Sequence, residues 1–310
     1  SNVPVGAYGS IVESEGTLLH YWPMTDGTGV TTLVSAVGGV PISLTGATAN
    51  SGGQVDGGAV SFNGTSNFGV TSSNINLSLY NKIVVEAVFK YTLNSGGVGW
   101  ESPADINSSD SGYLYLPVEP SVTASANVIL KGNTGYNYAF YNRDTADTWH
   151  HIVAVYDKSA PSSEVEYYVD GILQSATSTP DTSNNTNNFG NDPLYIMSRG
   201  GSSLFMPGSM QHLAIYTDLD DSRILAHYEA AFPASLTAGI ISEITSSATT
   251  ETLAWTSATG GTNPVSAQLQ RSPVGAGTWS NVSGATTSPA TDTGLSPSTS
   301  YDYRVVFTDA

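Results

Sequence analysis

An all-β protein is what this sequence predicts, and three observations predict it. Thr, Val and Tyr are abundant while Lys is scarce, a balance that favours strands over helices. Apolar and polar residues alternate over short runs, the period of a strand with one buried face. Turn signals recur about every ten residues, the spacing of a sandwich or jelly roll. The clearest stretch is Thr148 to Gln174, where the alternating runs His151–Tyr156 and Val165–Val169 flank a polar loop. Asp170-Gly171 then turns the chain into Ile172-Leu173, and a type I′ turn needs positive φ at both central residues.

The remaining elements follow in order. Leu18–Trp22 and Ala59–Phe62 read as strands, with Gly52-Gly53 and Asp56-Gly57-Gly58 turning the chain between them. Ile83–Tyr91 alternates around Val85, Ala87 and Phe89. Gly112–Val118, Ala126–Lys131 and Tyr136–Tyr141 come next, and Leu194–Met197 and Ser209–Tyr216 close the set. Only Asp220–Ala231 breaks the period: Ile224, Leu225, Tyr228 and Ala231 form a helical stripe, with Asp220 or Asp221 placed to cap it. Beyond Phe232-Pro233 the pattern changes. Thr237-Ala238-Gly239 reads as a linker, and Thr252–Trp255, Ala267–Arg271 and Tyr301–Phe307 as strands of another unit. The expected domains are 1–236 and 237–310.

Composition narrows the function. Charged residues make up 11% of the 310, against roughly a quarter in ordinary domains, and Ser and Thr make up about a quarter. A net charge of −17 disfavours nucleic acid, which needs cations to neutralise phosphates, and an anionic membrane surface. No apolar stretch approaches the roughly 18 residues of a membrane span. The absence of cysteine removes disulfides, thiolate metal sites and a cysteine nucleophile, and favours a prokaryotic or viral source. The chain begins Ser1-Asn2-Val3-Pro4 without an initiator Met or a signal peptide, so either processing removed one or a longer protein contains it.

Five blocks, in order, resemble the laminin-G-like or concanavalin A-like jelly rolls. They are Tyr21-Trp22-Pro23 with Asp26-Gly27-Thr28-Gly29, Gly58-Ala59-Val60-Ser61-Phe62-Asn63-Gly64, Val85–Phe89, the Thr148–Gln174 stretch, and Pro207–Tyr216 with the helix ending His227-Tyr228. Met197-Ser198 departs from the family, which usually has a glycine there. The C-terminal part resembles a fibronectin type III module: Trp255 matches its buried tryptophan, and Leu295–Val305 its tyrosine-corner segment, with Tyr301 bonding back to nearby backbone over Leu295. The fold expected is therefore a concanavalin A-like jelly-roll sandwich followed by a fibronectin type III sandwich lacking its last strand. The bare edge leads us to expect that the natural chain continues past Ala310 or that another subunit covers it.

Catalysis finds little support in the residues. Glycoside hydrolysis needs two carboxylates across the sugar bond, and the Glu-x-Asp-x-x-Glu run of glycosidases with this architecture is missing. Glu164-Val165-Glu166 reads as a solvated edge and Glu86 as an outward-facing charge. His150 and His151 stand on opposite faces of one strand, and His20, His212 and His227 are isolated in sequence. There is no Gly-x-Ser-x-Gly elbow. We expect no enzyme and no required cofactor. Asp26, Asp56, Asn63 and Asn67 lie in turns and are candidate ligands for a structural calcium, although such residues also mark turns without an ion.

Sugar recognition uses aromatic faces with a few amides and charges. The segment from Asn94 to Arg143 is richest in these, and Trp100, Asp105, Asn107, Tyr136, Asn137 and Arg143 are the candidate ligand-binding residues. Trp100, between Gly99 and Ser102-Pro103, reads as the leading surface aromatic. Tyr113/Tyr115 and Tyr136/Tyr138 each share a face, as the interior of a sandwich also requires.

The resemblance implies an extracellular or virion-surface protein, similar to tail, fibre or capsid-decorating proteins of bacteriophages. Its expected partners are a glycan or host-surface receptor and other virion or surface proteins. A homo-oligomer is expected, because fibres and decorations assemble with symmetry. Two alternatives stay open: the carbohydrate-binding and spacer region of a secreted bacterial enzyme, and a structural cell-surface or filament protein that binds no sugar.

Overall fold

The computed structural model describes residues 7–50, 52–233, 237–260 and 265–308. The chain divides into two compact units, Ser1–Phe232 and Pro233–Ala310. Residues 234–236, beside the boundary read from the sequence, lie outside the described residues, as do Ser1–Pro4 and Ala310.

The first unit is a sandwich of two antiparallel sheets. Its eight-stranded sheet runs Ile172–Leu173, Val165–Val169, His150–Asp157, Lys82–Tyr91, Pro207–Tyr216, Ala59–Asn63, Ala49–Asn50, with Leu18–Trp22 also paired to Pro207–Tyr216. Its nine-stranded sheet runs Ala176–Thr182, Tyr136–Asn142, Ser125–Lys131, Tyr113–Leu116, Trp100–Ser102, Tyr195–Ile196, Phe68–Thr71, Ile42–Thr45, Thr32–Leu33. Alternate residues of the facing strands fill the space between: Val85, Ala87, Phe89, Ile152, Ala154 and Tyr156 meet Trp100, Tyr113, Tyr115 and Val128 in one core.

The eight-stranded sheet is also covered on its other face. Two helices, α1 (Ala7–Glu13) and α2 (Asp221–Ala231), lie there. Tyr8 and Val12 of α1 and Ile224 and Ala231 of α2 pack on Val84, Val88, Val153, Val155 and Tyr216. Burial on both faces explains why Val84 and Val88, which alternate with the core-facing Val85, Ala87 and Phe89, are apolar as well. Asp220 caps α2 by accepting the Arg223 N–H at 3.0 Å. The sequence signals one helix; α1 adds a second, too short for a periodic stripe to stand out.

The Asp170-Gly171 turn has φ of 53° and 76°, as the hairpin chemistry requires. The Asp170 carboxylate then accepts the His151 N–H at 3.0 Å and faces His150 Nδ1 at 2.8 Å, tying the turn to the neighbouring strand. Glu164 corrects the expectation of a solvated edge. It is buried, and its carboxylate accepts the Asn185 N–H and, at 2.7 Å, the Asn185 amide. An acid at a strand end can turn inward when a loop supplies donors, and here the 183–189 loop does.

The second unit pairs two three-stranded sheets, Ile241–Ser246, Thr250–Trp255, Ala290–Thr293 and Ser280–Asn281, Ser266–Pro273, Tyr301–Thr308. Leu253, Trp255, Leu269 and Val282 form its core. The Tyr301 hydroxyl accepts the Ser296 N–H at 3.2 Å beside buried Leu295.

Candidate functional site

The strand Tyr136–Asn142 alternates cleanly, and this decides which of its aromatics meet solvent. Asn137, Ala139 and Tyr141 turn inward and are buried, while Tyr136, Tyr138 and Phe140 stand on the outer face of the nine-stranded sheet. A groove of about 320 Å³ opens beside Tyr136 and Tyr138. Ile106, Leu114 and Ile129 give it an apolar lining, and Asn107, Asp181 and Arg199 supply polar groups. The Tyr136 hydroxyl donates to Asn107 Oδ1 at 2.9 Å, which fixes the ring, and the Lys131 ammonium sits 5.3 Å from its centre. The Tyr138 ring meets Phe140 edge-on at 5.9 Å.

Loops hold the polar side. Asp105 caps the short 3-10 helix Ile106–Ser108, accepting the Asn107 N–H at 3.1 Å and the Ser108 hydroxyl at 2.9 Å. These hydrogen bonds, from Ser108 first, hold its carboxyl below the ordinary range. Asp181 accepts the Ser183 hydroxyl at 3.0 Å. Glu101 lies behind Arg199, fully buried, with Arg199 Nε 3.6 Å from its Oε1. Neither Glu101 oxygen accepts a well-formed hydrogen bond. Burial pushes its carboxyl up to about 7, despite the opposing pull of Arg199 and of the Ile106 and Gly200 backbone.

The structure sorts the six residues singled out from the sequence. Asn107 and Tyr136 line the groove, and Asp105 stands next to it as a cap. Trp100 is a correction: it is fully buried on a strand, its indole donating to the Tyr156 hydroxyl at 3.0 Å and its ring centre 4.6 Å from that of Tyr115. The flanking glycine and proline suggest a loop, yet three residues between them suffice for an inner strand. Asn137 is likewise inward and buried, bonding the Ser183 carbonyl at 3.1 Å. Arg143 is spent on the Thr123 carbonyl, and no groove wall includes it. Sequence reasoning missed Asp181, Arg199 and Glu101, which lie far apart in the chain and in no motif. Tyr138 was legible as the same-face neighbour of Tyr136.

Each calcium candidate has a protein partner for its side chain. Asn63 Oδ1 accepts three successive N–H groups, from Thr65, Ser66 and Asn67, and Asn67 Oδ1 accepts that of Asn63. Asp26 accepts the Val34 N–H at 3.1 Å, and Asp56 faces His212 Nε2 at 3.7 Å.

A second polar cluster lies beneath the helices and overturns the reading of Glu86 as an outward charge. Glu86 is fully buried. Its Oε1 accepts Tyr8 Oη at 2.9 Å, His227 Nδ1 at 2.9 Å and His151 Nε2, and its Oε2 accepts Tyr216 Oη. His227, isolated in sequence, reaches Glu15 through Nε2 at 3.1 Å, and Arg223 completes the chain by bonding Glu15 through Nε at 2.6 Å. Burial opposes ionisation of Glu86, but the His227 charge and the histidine hydrogen bonds outweigh it and hold the carboxyl well below its usual range. Burial also lowers His227, and Glu86 and Glu15 together reverse this and raise it. A ring facing carboxylates through both nitrogens is an imidazolium. Glu86, His151 and His227 are the one set of three potential metal-ligating side chains whose ligand atoms lie within 4.8 Å of one another among the described residues. Three donors already converge on a single oxygen there, the pattern of a proton-filled network.

In the second unit a cavity of about 360 Å³ is lined by hydroxyls together with Glu243, Glu251 and Tyr303. No described cation lines it.

Comparison with known proteins supplies the relatives. The family model described as the concanavalin A-like lectin/glucanases superfamily matches residues 64–219. No curated protein sequence matches the chain. Among solved structures, the binding domain of botulinum neurotoxin serotype G aligns with a TM-score of 0.50 at 11% identity, over 77% of this chain and 62% of that one. The serotype D ligand-binding domain in complex with N-acetylneuraminic acid gives 0.51 at 12% identity, over 80% and 63%. A Trypanosoma rangeli sialidase with the inhibitor DANA gives 0.50 at 14% identity, over 70% and 33%. The chain thus spans under two thirds of each of these three proteins, and the likeness is one of fold.

Proposed function

The chain belongs to the concanavalin A-like lectin/glucanases superfamily, and from that premise we propose that its first unit is a non-enzymatic glycan-binding domain. The observation that carries this is the groove at Tyr136 and Tyr138. Two outward aromatic faces beside an apolar lining suit the C–H face of a pyranose ring, and Asn107, Asp181 and Arg199 suit its hydroxyls. The serotype D toxin domain in complex with N-acetylneuraminic acid lends support, as a sugar-binding protein of similar fold.

A binding role fits the carboxylates better than hydrolysis does. Glycoside cleavage requires an acid and a second carboxylate flanking the bond. Asp181 is the carboxylate of the groove lining, and Glu101, although held near neutrality, is fully buried behind Arg199. The second unit we read as a fibronectin type III-like spacer, on the strength of core Trp255 and the Tyr301–Ser296 bond. The acidic, cysteine-free composition fits display on a virion or another extracellular surface.

A glycan microarray probed with the whole chain tests the reading. Binding to a defined set of glycans is expected, with Tyr138→Ala weakening it about tenfold, the equivalent of one lost stacking contact. Unchanged binding by that variant, or no binding to any glycan, contradicts the assignment.

A further inference from the structure

The arginines of this chain number five, and four of them donate a side-chain hydrogen bond among the described residues. Arg143 donates to the Thr123 carbonyl, Arg223 to Glu15, Arg271 to Asp292 through two bonds of 3.0 Å and Arg304 to Gln270 at 2.8 Å. Arg199 donates no side-chain hydrogen bond among the described residues. Its nearest carboxylate, Glu101, stands at 3.6 Å, beyond bonding distance, and the arginine side chain keeps 30% of its exposure. In a chain with nine basic and 26 acidic residues, an under-used guanidinium lining a groove is unusual.

Resting on the reading of the groove as a glycan site, we propose that its ligand is a carboxylate-bearing sugar, a uronic or sialic acid, which takes Arg199 from Glu101. The planar guanidinium offers two parallel N–H groups that match a carboxylate, and a solvent-facing ligand can meet them edge-on at bonding distance, which Glu101 at 3.6 Å does not. The apolar lining and Tyr138 then hold the ring that carries the acid.

Glu101 makes this exchange responsive to pH. Deprived of Arg199, a fully buried carboxylate has no cation beside it and takes up a proton from solvent. Binding the acidic sugar therefore adds one proton to the protein, and affinity rises as pH falls through about 7, where Glu101 titrates in the free protein. The other groups around it leave this linkage intact. Tyr195 and Leu114 flank Glu101 in register, and Asp105 remains ionised as a helix cap. Asp181, across the groove, is held by Ser183, and Lys131 is paired with Asp110 at 3.2 Å.

Titration calorimetry of the whole chain with galacturonate oligosaccharides, sialyllactose and neutral lactose tests this at pH 6 and pH 8. One acidic class is expected to bind tighter than neutral sugar. Its affinity should be about tenfold higher at pH 6, the ratio of protonated fractions for a group titrating near 7. Arg199→Gln should abolish the preference for the acid. Glu101→Gln should hold affinity at its low-pH value at both pH values. The two acidic arms show which sugar acid is recognised. Neutral sugar bound as tightly as the acids, with Arg199→Gln silent or no pH dependence, overturns the inference and leaves the groove reading standing. No binding to any sugar on these ligands and on the microarray overturns both. Matching thermal melts of the variants establish that each is folded.

Discussion

Glu86 and Glu101 are both fully buried, both sit on inner strands, and both point away from the core that the two sheets share. Their surroundings drive them in opposite directions. Beneath the helices, Glu86 meets donors from Tyr8, His151, Tyr216 and His227, so it remains ionised and ties α1, α2 and the sheet together. Beneath the groove, Glu101 meets one guanidinium at 3.6 Å and no well-formed donor, so its carboxyl rises to about 7. Burial alone does not decide the protonation of a carboxyl; the number and placement of donors does. One glutamate is a structural anchor, and the other is free to respond to what enters the groove.

Removing the anchor has the largest expected effect. Glu86→Ala leaves an imidazolium and two tyrosine hydroxyls buried without their acceptor, and should cost about 3–5 kcal/mol in urea unfolding. A cost below about 1 kcal/mol would erase the contrast with Glu101.

The pH dependence of the anchor has a definite sign. The folded-state pKa of Glu86 is depressed, so its stabilisation is present above the unfolded value of 4.5 and is lost only as pH falls through the lower folded value. The folded-state pKa of His227 is raised, so its stabilisation is complete below 6.5 and is lost as pH rises through the higher folded value. His227→Gln should therefore destabilise the protein most near pH 6 and progressively less in alkali, as followed by thermal melts. A cost that is constant with pH would show that the imidazolium is not what holds the helices.

Glu101→Gln should act in the opposite direction. A carboxyl raised from 4.5 to about 7 binds its proton more tightly when folded, so it lowers stability as pH rises between those values and by a constant amount above. Replacing it should stabilise the protein at pH 8 by up to about 3 kcal/mol and have little effect at pH 4. Destabilisation at pH 8 would mean that the Arg199 pairing outweighs burial. The smallest effect is that of Tyr136→Phe, which removes the bond to Asn107. It should cost about 0.5 kcal/mol or less in stability and loosen sugar binding a few-fold.

The difference between the two regions also explains what was legible in the sequence. Strands such as Lys82–Tyr91 and His150–Asp157 could be read because burial imposes a pattern on consecutive residues, and the Asp170-Gly171 turn because its φ angles restrict residue choice. Ala176–Thr182 could not be read: an exposed edge strand imposes no alternation on its sequence. Part of the groove was within reach, since Tyr136 and Tyr138 share a face and Asn107 lies in the same polar segment. Arg199 and Asp181 come from a loop and an edge strand brought there by sheet order alone. Trp100 and Glu86 were misread for a common reason. Flanking turn residues suggested exposure for Trp100 and charge suggested it for Glu86, and a partner more than fifty residues away in the chain, Tyr156 for one and His151 for the other, made burial the better solution.

Carboxyl carbon NMR of the glutamates, followed across pH with Glu86→Gln and Glu101→Gln used for assignment, tests the contrast most directly. The Glu101 signal should titrate near 7 and shift to higher pH when an acidic sugar binds, while the Glu86 signal stays that of a carboxylate well below 4.5. Two glutamates titrating together in the ordinary carboxylate range would contradict the account.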